Sequence, residues 1–118
     1  MTTLFHLTWD CHVASILRMG LIPNHSPNQW VMDAANKRSK RATFLCVRGR
    51  MDNWDSIFGG GWVTPPAEGA KRVWLKVRVP KAWLTPDKAV GEYYDGDFKC
   101  RRVIPAANIS RLSSQLAA

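Results

Sequence analysis

His6 and Thr8 lie two residues apart in the short apolar run Leu4-Phe5-His6-Leu7-Thr8. That spacing predicts a strand with both polar side chains on one face. Near the other end two carboxylates, Glu92 and Asp97, flank an Asp95-Gly96 dipeptide of the kind found in hairpin turns. Between them runs a basic stretch. Lys37, Arg38, Lys40, Arg41, Arg48 and Arg50 occur with no acidic residue between Asp33 and Asp52. Such a cluster is either a solvated turn or a surface for nucleic acid or an acidic partner. The three cysteines, Cys11, Cys46 and Cys100, contain no C-x-x-C pair, which speaks against zinc and against a disulfide framework. Reduced thiols in a cytoplasmic protein are the expectation. Gly59-Gly60-Gly61 is not followed by Lys-Ser/Thr, so it is no P-loop, and it lacks the strand–turn–helix setting of a dinucleotide fingerprint.

These residues need elements to hold them. After the first strand, Asp10 is placed to cap a helix over about 11–19, with Val13, Ile16 and Leu17 at helical spacing and Gly20 as the stop. A Leu21 contact back to Ile16 would fit a Schellman-type ending. Residues 23–30 predict a loop and 31–39 a short helix. Residues 42–47 predict a strand. A short helix over 51–58 places Trp54 and Phe58 four apart. Over 72–79 the chain alternates strictly. Val73, Leu75, Val77 and Val79 share one face, and Arg72, Trp74, Lys76 and Arg78 the other. Residues 83–90 look loop-like, 92–94 and 97–104 predict strands, and Ile109, Leu112 and Leu116 predict a short C-terminal helix.

At 118 residues, with 46% apolar and 22% charged residues, the chain has the composition of one globular domain spanning 1–118. Strand, helix, helix and then mostly strands predict a small α+β domain with a mixed or antiparallel sheet. No apolar run reaches membrane-spanning length, and no signal peptide is expected. The net charge of +8 attracts polyanions. Six tryptophans suit a core, with base or ring stacking as the functional alternative.

Two motifs go further than periodicity. Phe5-His6-Leu7-Thr8 followed by a helix ending Ile16-Leu17-Arg18-Met19-Gly20-Leu21-Ile22-Pro23 resembles the first motif of the ADP-ribosyltransferase superfamily. That motif is a strand bearing His-x-Thr or His-x-Ser and a helix of the form I-L-x-x-G-L. The stretch from Asp97 through Val103-Ile104-Pro105 to Ile109 is similar to the last motif, where an acidic residue opens a strand running into an I-P-x-x-x-I-like ending. DarT-type nucleic-acid ADP-ribosyltransferases are the nearest relatives by this pattern.

The resemblance implies an ADP-ribosyltransferase-like cleft with NAD as substrate and no metal. His6 would bond a ribose hydroxyl and Thr8 would add a contact. Asp97 or Glu92 would sit beside the reactive ribose, where charge develops as the nicotinamide leaves. Most relatives carry Glu where Asp97 stands, and Asp reaches one methylene less far. Two functions follow. One is a transferase effector, of phage or toxin type, that modifies nucleic acid or a nucleic-acid-handling protein. The other is a non-catalytic basic module or inhibitor that binds nucleic acid or an acidic, nucleic-acid-associated protein.

Overall fold

The computed structural model describes residues 1–23, 42–60, 65–86 and 96–112. Its centre is one six-stranded sheet, with β1 (Thr2–Trp9), β2 (Thr43–Cys46), β3 (Arg72–Val79), β4 (Leu84–Pro86), β5 (Asp97–Cys100) and β6 (Ile109–Arg111) in the order β4-β5-β2-β1-β3-β6. Every neighbouring pair is antiparallel. Among the described residues two α-helices, α1 (Asp10–Met19) and α2 (Met51–Gly59), lie on opposite faces. The α+β expectation therefore holds.

Alternation decides which side chain meets which helix. On the α1 side, Leu4 of β1, Leu45 of β2 and the four aliphatics of β3 pack with Val13 and Ile16 of α1. On the α2 side, Phe5, Leu7, Cys46 and Trp74 pack against Met51, Trp54 and Phe58. Those three α2 residues sit at the i, i+3, i+7 spacing of a single helical stripe. Trp9 and Trp74 are buried, while Trp54 and Trp83 are half-buried. Trp30 and Trp62 lie outside the described residues.

The sheet is unevenly stitched. β1 and β3 pair along their whole length, from Thr2↔Val79 to Trp9↔Arg72. β1 and β2 meet in register only at Phe5↔Cys46. The molecule is thus two three-stranded ladders, β4-β5-β2 and β1-β3-β6, joined along a short seam.

Several expectations are corrected. The chain after Ala106 is not helical as far as it is described. Ala106–Asn108 forms one 3-10 turn, and β6 then pairs with the edge of β3, Ile109 opposite Val77. Helical spacing would put Ile109 and Leu112 on one stripe. In the extended chain they go to opposite clusters, Ile109 to the α1 side and Leu112 to the α2 side. Of the loop expected over 83–90, Trp83 ends a 3-10 turn, the edge of β5 recruits Leu84–Pro86 as β4, and 87–90 fall outside the described residues. The strand expected over 97–104 stops at Cys100, and Ile104 forms an isolated bridge to Leu21 instead. Asp10 is the first helical residue rather than the cap. Its carboxylate accepts from the Cys11 and Lys71 amides. The expected loop over 24–30, the helix over 31–39 and the strand over 92–94 fall outside the described residues.

Candidate functional site

Asp97 opens β5, opposite Cys46 of β2. That register places it on the α2 side. Its side chain is 5% exposed and its carboxylate is held from two directions. Arg50, leaving the 3-10 turn Arg48–Arg50 that leads into α2, donates Nη2 to Oδ2 at 3.0 Å and Nε to Oδ1 at 3.3 Å. The Trp54 indole N–H on α2 donates to Oδ1 at 2.9 Å. This fork-on-carboxylate geometry is the strong form of an ion pair. It anchors the start of α2 to β5.

A second carboxylate repeats the arrangement on the same face, over β3. Asp55 of α2 accepts the Trp74 indole N–H at 3.1 Å and lies 3.4 Å from Arg72 Nε, both on β3. In each case an aspartate, an arginine and a tryptophan tie α2 to the sheet. Cys46, beneath the same helix, has its thiol pushed up to about 12 by burial, with the Asp97 charge adding to the effect. It is a packed sulfur rather than a nucleophile.

His6 shares a face with Leu4 and Thr8, opposite Leu75, and so lies on the α1 side. Its Nδ1 is 2.8 Å from the Phe44 carbonyl, which only accepts, so Nδ1 carries the proton. Continuing the antiparallel register beyond Phe5↔Cys46 would set Leu7 against Phe44. The His6 ring instead supplies the donor for that carbonyl where the β1–β2 ladder has ended. Burial holds the imidazole pKa below its usual value, partly offset by this bond. Thr8 is buried on the same face.

The structure therefore brings His6 and Thr8 together, as expected, but sets them on the other side of the sheet from Asp97. Glu92 lies outside the described residues, as do Lys37, Arg38, Lys40 and Arg41. Of the six basic residues singled out, Arg48 is exposed, with its guanidinium 4.8 Å from the centre of the Phe5 ring. Arg50 is turned inward onto Asp97.

The chain matches no family model, no curated protein and no solved structure. Its own geometry has to carry the functional reading. Among the described residues no three His, Cys, Asp or Glu side chains converge as a metal site. No helix there is long and apolar enough to cross a membrane.

The two end motifs do meet. Leu21 and Ile104 exchange both backbone bonds, Leu21 N–H to Ile104 O at 2.9 Å and Ile104 N–H to Leu21 O at 3.0 Å. Gly20 adopts φ 89° and ψ −179°, a region essentially reserved for glycine. A Cβ at Gly20 would lie 2.3 Å from the Ile104 carbonyl oxygen. The glycine-leucine ending of the first motif and the isoleucine-proline of the last are thus halves of one clasp.

Sequence reasoning missed Arg50 and Trp54 as the partners of Asp97. They stand 47 and 43 residues before it, and no local pattern links them. The available hint was their i, i+4 spacing at a helix start, which puts a cation and an indole donor on one side.

Proposed function

We propose that this chain is a non-catalytic basic binding module whose partner is nucleic acid or an acidic, nucleic-acid-associated protein. One observation carries the reading. His6 and Asp97, the side chains the resemblance assigns to NAD, face opposite sides of one sheet, and each is committed to holding the fold together. A transferase needs its ribose contact and its carboxylate to converge on one substrate. The net charge of +8 supplies the attraction to a polyanion.

Thermal unfolding with and without NAD tests the reading. A ligand at 100 times its dissociation constant adds ~2.7 kcal/mol, several degrees for a domain this size. An unchanged melting temperature at millimolar NAD is expected. A clear rise would overturn it.

The clasp between the two end motifs favours a second reading, an ADP-ribosyltransferase acting on a macromolecule, with Glu92 as its carboxylate. Incubation of cell extract with labelled NAD separates the two. Transfer by the wild type that Glu92→Gln abolishes, with the fold intact by circular dichroism, would establish the enzyme and the residue. No transfer supports the binding module.

A further inference from the structure

Among the described residues, α2 covers the Trp9 end of its side of the sheet and leaves the Thr3 and Arg78 end exposed. α2 lies over Leu7 and Trp74, and its Phe58 ring reaches Trp9, 5.6 Å between centroids. Toward the other end of β1 and β3 the same face carries Thr3 opposite Arg78, then Phe5 opposite Lys76, then Lys76 opposite Ser110 of β6. Thr3, Lys76, Arg78 and Ser110 are all exposed, and Arg48 lies over Phe5 beside them. Among the described residues none of Arg48, Lys76 and Arg78 forms an ion pair, whereas Arg50 and Arg72 both do. Lys76 and Arg78, two positions apart on a strand, sit ~6.6 Å apart along its axis.

We infer that this face, Arg48, Lys76 and Arg78 with the hydroxyls of Thr3 and Ser110, docks the phosphate backbone of a nucleic acid. Charge complementarity selects the occupant. Three cations that form no ion pair among the described residues, together with two hydroxyls, are the side chains that phosphates recruit. Among the described residues the aromatic ring at this patch is Phe5, which is buried beneath Arg48 and offers no platform for a base. The contact is therefore with backbone and indifferent to sequence. The inference rests on the binding-module reading and names its partner.

The experiment is fluorescence anisotropy with labelled 20-nucleotide single strands and duplexes of two unrelated sequences, at 50 to 300 mM NaCl. Three contacts predict log K falling with log[salt] at a slope of about −2 on single strands or −2.7 on duplex, alike for both sequences. Lys76→Ala/Arg78→Ala should weaken binding by roughly 25-fold or more at 0.1 M salt and flatten the slope by about 1.4 to 1.8. A charge-matched control, Arg18→Ala/Lys81→Ala, exposed elsewhere, should lose under about 3-fold, the part due to net charge alone. Equal losses in both variants would overturn the assignment, as would no binding at 50 mM salt. Binding to poly-glutamate or anionic vesicles but not to oligonucleotides would do the same. Should the alanine pair unfold by circular dichroism, Lys76→Gln/Arg78→Gln is judged by the same criteria. A melting shift with NAD would fail the non-catalytic reading while leaving the oligonucleotide result to decide this surface on its own.

Discussion

Asp97 shows how one position on the chain fits two roles. As a carboxylate opening a strand near the C-terminus, it has the type and place of a catalytic group. Its surroundings make it an anchor, because a buried carboxylate with a guanidinium and an indole N–H on it ties β5 to the start of α2. Removing it leaves Arg50, whose side chain is 11% exposed, without this counter-charge. Asp97→Ala should therefore destabilise the fold by ~3 kcal/mol in urea unfolding, the lower end of the range for breaking a buried pair. Asp55 offers the contrast. It and Arg72 are each about 40% exposed, so Asp55→Ala should cost only ~1–2 kcal/mol, most of it the lost indole bond. Equal costs would show that burial does not distinguish the two clusters. The thiols give a second residue-scale outcome. Cys46 and Cys100 are buried and Cys11 is exposed, so iodoacetamide at pH 8 should label one cysteine in the native protein and three in denaturant, counted by intact mass.

Among elements, those that bury one face were legible. The 72–79 alternation is β3 as written, because a half-buried strand must repeat every second residue. The 11–19 helix is α1 with one residue added. β4 and β6 were not legible. Each is three residues long and exists because a sheet edge supplies the hydrogen bonds, a cause that lies elsewhere in the chain. Asp97 could be picked out as a candidate from its spacing to Ile104-Pro105. Its face could not, because parity depends on which cross-strand residue it meets. The clasp at the end of α1 is tested through Gly20. Gly20→Ala must adopt a backbone region closed to side chains and drive its methyl into the Ile104 carbonyl. A loss of roughly 3 kcal/mol or more is expected by thermal or urea unfolding. A loss below 1 kcal/mol would show that the Leu21–Ile104 bridge shifts at little cost.

At the scale of the whole molecule the β1–β2 seam is the distinctive feature. The two ladders share the Phe5↔Cys46 pair and the His6–Phe44 bond. Amides of β2 should therefore exchange with solvent sooner than those between β1 and β3, where the ladder is continuous. His6 also makes the seam sensitive to pH. Its folded pKa is lowered by burial, so as pH falls past about 6.5 the unfolded chain takes up this proton before the folded one does. The unfolded state then binds more protons, and by linkage stability falls with pH. The His6 contribution is complete above about pH 7 and is lost through the window below 6.5, down to the folded-state value. His6→Gln keeps an N–H donor for the Phe44 carbonyl but does not titrate. Melting temperatures measured from pH 8 to 5 should fall more steeply for the wild type than for His6→Gln, with the two curves separating below pH 6.5. Parallel curves would mean that the ring reaches solvent and that other groups govern the acid limb.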